Sequence, residues 1–387
     1  MLTRTRVRFG CLCLALAWLQ ARPAVAQVFP GLQRSTSNVP VVYMTQAPAG
    51  PQAPTTPQAP GRPAPDQMAQ QPMAGFGEAA PAGTEGSGSY APQMLGDSLS
   101  YHTNGFFIVG GTPSGPSSSS SRILSLSGTS FRIADNEGPR PEDRMFMNVN
   151  YFTGVFHSLS APGSDRQRLM RLSAGFEKTC LDGDASIGLR VPIFQLNSEG
   201  GDTSNAQLGN ISIITKAVLA GDDETGSLIS GGIALSLPTG PNTIVTQLDL
   251  TTGLSTEQSI NPTIIQPYLA FLYYASEDVY VHGFTALAFP MDDSVPTVWF
   301  NDIGAGFWAY RGNRAAIVPT AELHFTNAFS QQGSEAFPIG VIDTINTTLA
   351  THLITDNGGR FTLGAGFPLT GPKPFTWELT VQVNWAL

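Results

Sequence analysis

The chain is predicted to be all-β, an antiparallel up-and-down transmembrane β-barrel of about twelve strands behind a disordered Pro-rich N-terminal region. Three observations predict this. Charged residues are 13% of the 387, about half the share usual in soluble domains, while Gly (41) is abundant and Phe (22) outnumbers Lys plus Arg (20). No run of 18 apolar residues appears although mean hydropathy is zero, which excludes a bundle of membrane helices. From Arg144 to the C-terminus, polar and apolar residues alternate in segments joined by short and long connections in turn.

The first 26 residues read as an export signal. Arg4, Arg6 and Arg8 form a basic start, and Phe9 to Leu19 is apolar but too short to span a bilayer. Ala24-Val25-Ala26 supplies the small-residue cleavage pattern, placing the cut before Gln27. Removing four arginines takes the net charge from −9 to −13, and no basic stripe remains to bind nucleic acid. Cys180 is then the one cysteine left, so no internal disulfide is expected.

Residues 27–95 read as a disordered linker. Pro51-Gln52-Ala53-Pro54 and Pro57-Gln58-Ala59-Pro60 lead into Gly-, Ala- and Gln-rich sequence that buries too little to order itself. Residues 96–143 are intermediate, an ordered lead-in or a plug for the lumen. Gly105 to Gly110 reads as one short strand, Pro113 to Ser121 as a Ser-rich breaker, and Phe131 to Glu137 as the approach to Pro139-Arg140-Pro141.

The barrel is placed at 144–387. Its strands are expected at 144–157, 167–180, 184–196, 206–220, 227–238, 260–275, 279–290, 297–310, 315–329, 341–354, 360–369 and 375–387. In the last, Phe375, Trp377, Leu379, Val381, Val383, Trp385 and Leu387 alternate with Thr376, Glu378, Thr380, Gln382 and Asn384. The ninth sets Ile317, Ala321, Leu323 and Phe325 against Thr320, Glu322, His324 and Thr326. Links such as Leu181-Asp182-Gly183 and Ser276-Glu277-Asp278 are tight, whereas Thr239 to Ser259 is long. An even strand count lets the first and last strands pair, leaving no open edge in lipid.

These residues resemble Gram-negative outer-membrane β-barrel proteins of the porin and transporter kind. The resemblance implies outer-membrane lipid as surroundings and small solutes as cargo. Strand 375–387 looks like the sorting signal read by the barrel-assembly machinery, although it ends on Leu387 where most members end on an aromatic. More narrowly, Ala234-Leu235-Ser236-Leu237-Pro238-Thr239-Gly240 is similar to an element of an outer-membrane family linked to phenol-degradation meta-pathway clusters, for which uptake is the implied role.

The alternation assigns Arg171, Glu177, Arg190, Lys216, Asp302, Glu322, His324 and Glu378 to the lumen, with Tyr268, His282 and His352 as further polar contacts. Both charge signs are present, which sets up a transverse field or a set of mutual pairs. Inward Gly304, Gly306, Gly364 and Gly366 argue for open space. Trp299, Trp308, Tyr310, Trp377 and Trp385 are placed in interfacial aromatic girdles. No catalytic constellation, cofactor motif or metal-ligand spacing is found, and the acidic pairs at Asp182, Asp222 and Asp292 read as turn residues. The expected function is passage of small solutes across the outer membrane, with a surface or structural anchor as the alternative.

Overall fold

The computed structural model describes residues 41–43, 90–96, 99, 104–109, 119–124, 132–155, 166–198, 206–248, 255–292, 295–328, 339–340, 343–371 and 373–387. The expected signal and most of the Pro-rich region lie outside them. Twelve strands form the barrel. They are β1 (Arg144–Val155), β2 (Gln167–Cys180), β3 (Ala185–Ser198), β4 (Ser212–Gly221), β5 (Leu228–Ser236) and β6 (Ile264–Tyr274). The second half is β7 (Val279–Pro290), β8 (Val298–Phe307), β9 (Ala315–Ala328), β10 (Thr344–Thr355), β11 (Gly359–Pro368) and β12 (Trp377–Ala386). Each pairs antiparallel with its sequence neighbours, and β12 closes on β1 from Trp377 opposite Thr153 to Ala386 opposite Arg144. Closure satisfies every strand edge, the condition for sheet structure in hydrocarbon.

Period-2 alternation sorts the two faces. On β9, Ile317, Ala321 and Leu323 are exposed while Thr320, Glu322, His324 and Thr326 are buried. On β12, Leu379 and Val381 face outward and Glu378, Thr380, Gln382 and Asn384 inward. The outer face is therefore a continuous apolar band, with Met147, Ile187, Ile233, Leu269, Ile303 and Leu363 exposed around it. In a water-soluble sandwich the faces would be reversed, polar out and apolar in.

Short links gather at one barrel end. The β2–β3 turn passes through left-handed Leu181, Asp182 and Gly183, at φ 52°, 57° and 89°. In the β4–β5 turn Asp222 accepts from the Glu224 amide (3.0 Å) and the Thr225 hydroxyl (2.8 Å), and Gly226 takes φ 75°. Longer connections gather at the other end. One, expected as a plain loop, holds a hairpin of Thr243–Leu248 and Ser255–Ile260. A second hairpin, Asn104–Val109 with Ser119–Leu124, joins Ile339–Gly340 of the β9–β10 connection. The expected breaker therefore gives Ser119, Ser120 and Ser121 to a strand.

Three placements differ from the sequence reading. Trp308, expected in a membrane girdle, is 5% exposed and packs on Tyr274 and Tyr280 inside the barrel. Its parity explains this, because it continues the inward series Asp302, Gly304, Gly306. Trp299, Tyr310, Trp377 and Trp385 are exposed. Phe375 does not share the outward face of β12. It precedes the strand and is buried edge-on to Phe152, ring centroids 5.4 Å apart. Residues 91–95, expected to belong to the linker, lie buried in the barrel together with Gly96.

Candidate functional site: an occluded lumen

The N-terminal segment enters the barrel and passes through it twice. Tyr90 starts at the short-turn end, its ring under the Arg140 guanidinium, and the Ala91 amide donates to the Tyr274 hydroxyl (2.9 Å) at the end of β6. Leu99 sits at the opposite end, in a cluster with Phe152, Val155, Leu169, Phe194 and Phe375. The second pass runs back from Arg132 to Asp143, where β1 begins. The passes touch midway. The Met94 amide donates to the Glu137 carbonyl (2.9 Å), and Gly96, at φ 70°, lies so close that a Cβ would come within 2.5 Å of the Asp135 Cα. No side chain fits there, and the backbone angle also favours glycine.

The lumen wall has three sectors. The first, β1 to β4, is basic. It presents Arg144, Arg171, Arg190 and Lys216, with Glu177 as counter-charge between Arg144 (2.9 Å) and Lys216 (2.9 Å). The second pass supplies the rest. Asp135 meets Arg171 (2.5 Å) and Arg190 (3.2 Å), while Glu137 meets Arg144 (2.9 Å), Lys216 (3.1 Å) and Arg190 (3.3 Å). All are at most 3% exposed. Charges this far from water persist only when paired, so plug and wall are obligate partners in this state. At the short-turn end Glu142 extends the same logic to Arg360 on β11 (2.6 Å).

The second sector, β5 to the start of β8, is mainly apolar, with Ser230, Gln266 and His282 as buried polar exceptions. Met94, Ile133 and Ala134 of the plug pack against Ala234, Tyr268, Phe284 and Phe300. The third sector is acidic, with Asp302 on β8, Glu322 on β9 and Glu378 on β12. Arg132 answers Asp302 at 2.7 Å and lies over the Phe300 ring. His324 also reaches Asp302 (2.8 Å). Glu322 accepts from the amides of Leu95 (2.9 Å) and Gly96 (3.1 Å). Glu378 accepts from Asn150 (2.6 Å). The segment 132–137 thus puts its cation on the acidic wall and its two carboxylates on the basic wall.

All eight residues assigned to the lumen are buried in the interior, as are Tyr268, His282 and His352. Tyr268 donates to the Thr215 carbonyl (2.9 Å), and His352 sits between Thr320 (3.1 Å) and Thr362 (2.7 Å). Neither ring nitrogen of His282 has a hydrogen-bond partner among the described residues. The inward glycines do not mark open space. Gly304 is covered by His282, Gly306 by Tyr280, Gly366 by Glu378, and Gly364 receives the Leu95 side chain of the plug. Small residues here admit bulky neighbours rather than water.

The sequence reading missed the plug's own working residues, Leu95, Gly96, Arg132, Asp135 and Glu137, and the wall cations Arg144 and Arg360. One signal pointed to them. Four strands with an excess of inward cations over acids require carboxylates from elsewhere, and Asp135-Asn136-Glu137 stands just upstream.

No protein-family model matches the sequence, and a search of curated proteins returns no match. Solved structures do match. The COG4313 outer membrane channel from Pseudomonas putida F1 shares 10% identity over 65% of this chain and 97% of that one, with TM-score 0.48. The beta domain of the Bordetella autotransporter Brka shares 9% over 63% and 99%, with TM-score 0.41. The KdgM porin shares 10% over 63% and 99%, with TM-score 0.35. The likeness of Ala234 to Gly240 to the phenol-degradation family rests on those seven residues alone. In the structure they have a local role, since Thr239 and Gly240 clamp Gly209, Asn210 and Ile211 to the end of β5 by hydrogen bonds of 2.9–3.1 Å.

Proposed function

We infer that the protein is an outer-membrane channel held closed by its own N-terminal segment, and that it passes small solutes when that segment moves aside. The closed barrel with an apolar exterior supports a place in a membrane that strands can cross. The export signal at 1–26 and the C-terminal strand as substrate of the barrel-assembly machinery belong to the same reading. The observation that carries the channel reading is the plug. It is held by ion pairs and hydrogen bonds to the wall rather than by strand pairing inside the barrel, so it can leave without opening the sheet.

Planar-bilayer recording of the full-length protein tests this. Wild type is expected to show rare, brief openings. Gly96→Ala, which forces the two passes apart at a cost of about 1–3 kcal/mol, is expected to raise open time roughly tenfold. No opening in either protein, each migrating as a heat-modifiable barrel, would make the filled lumen permanent and the barrel an anchor.

A further inference from the structure

We propose that the basic wall of β1 to β4 is a binding site for small solutes carrying two carboxylates, and that Asp135 and Glu137 occupy it as a built-in competitor while the channel is closed. This rests on the plugged-channel reading above. The argument starts from an imbalance. Arg144, Arg171, Arg190 and Lys216 converge from four adjacent strands, and the wall itself answers them with Glu177 alone among the ion pairs described. The other carboxylates on these cations are those of Asp135 and Glu137, two residues apart on a segment that enters from outside the sheet. Without the plug, Glu177 is the wall carboxylate these cations keep among the ion pairs described.

The plug also shows what fits. One carboxylate is taken by two guanidinium groups, Arg171 and Arg190. The other is shared by Arg190, Lys216 and Arg144. Guanidinium forks match planar carboxylates in a way that a point charge does not. The site accepts two such groups held a short distance apart, which is the shape of a small dicarboxylate. The Phe146 ring lies under both Arg144 (4.8 Å) and Arg190 (5.7 Å) and fixes the two guanidiniums in place before any ligand arrives. Of the acidic sector, Asp302 and Glu322 lie on β8 and β9, away from β1 to β4, while Glu378 on β12 stands next to β1 and reaches the site through Asn150, which donates to Glu378 (2.6 Å) and accepts from Arg171 (3.4 Å).

A solute that displaces the two plug carboxylates also releases the plug. Binding and opening are then one equilibrium, and the ligand shifts it by its preference for the unplugged wall.

Succinate binding to the full-length, detergent-folded protein, read by calorimetry, tests the site. Asp135→Asn/Glu137→Gln removes the competitor and is expected to bind succinate at least tenfold more tightly than wild type. Adding Arg171→Gln/Arg190→Gln is expected to abolish that gain. If the quadruple variant fails to give a heat-modifiable band, Arg171→Lys/Arg190→Lys serves instead, keeping the charge and losing the fork, and is expected to lose a large part of the gain. Equal affinity in wild type and the double variant, or binding indifferent to Arg171 and Arg190, would overturn the proposal. Bilayer recording separates the two readings. A double variant that conducts but does not bind succinate refutes the site and leaves the channel. One that binds but never conducts refutes the channel and leaves the site.

Discussion

The two charged walls of the lumen hold the same plug by different means. The basic wall meets it with four long side chains, and every one ends on a carboxylate. The acidic wall meets it with two carboxylates, Asp302 and Glu322, which take one plug guanidinium, Arg132, and two plug backbone amides. Asp302 also keeps a partner of its own wall in His324, so it is not stranded if Arg132 leaves. On the basic wall the carboxylate that Arg171 meets among the ion pairs described is the plug's Asp135. The latch strength therefore lies on β1 to β4, and the acidic wall sets the plug's position more than its hold.

Breaking the stronger half should have the largest effect. Asp135→Asn/Glu137→Gln leaves buried cations with too few anions, a loss of about 3–5 kcal/mol for a buried pair. Open probability in bilayers should rise a hundredfold or more. Arg132→Ala attacks the weaker half. With His324 still on Asp302, its effect should be smaller, roughly tenfold in open probability, by the same recording. An equal or larger effect of Arg132→Ala would reverse the ranking of the walls. The smallest effect belongs outside the lumen. The Thr225 hydroxyl and the Glu224 amide hold the exposed Asp222 carboxyl below its ordinary 3.8. A depressed carboxyl adds stability above its unfolded pKa and loses it as pH falls through the folded value. Asp222→Ala should lower the temperature of the gel-shift transition slightly at neutral pH, with the difference vanishing in acid and no change in gating.

The difference between wall and plug also explains what the sequence made legible. A strand that faces lipid on one side and the lumen on the other must alternate, so Glu322, His324 and Glu378 could be assigned inward from parity alone. Trp308 was misread because its residue type was weighed above its parity with Asp302. Phe375 was misread because alternation was carried past the point where β12 starts. The inward glycines looked like space because a sequence shows a missing side chain and not the neighbour that fills its place, such as Leu95 against Gly364. The plug was hardest to see. Its hold comes from single ion pairs and amide contacts at irregular intervals, and irregular contacts leave no period.

The central claim is that the lumen opens only when the plug leaves the wall. A disulfide lock tests it most directly. Leu95 of the plug lies against Gly364 of β11, so Leu95→Cys/Gly364→Cys, made with the native exposed Cys180 replaced by Ser, can bridge plug to wall. Recorded in bilayers, the oxidised protein should show no openings, and reduction should restore those of wild type. Openings that persist unchanged while the disulfide is intact would contradict the account.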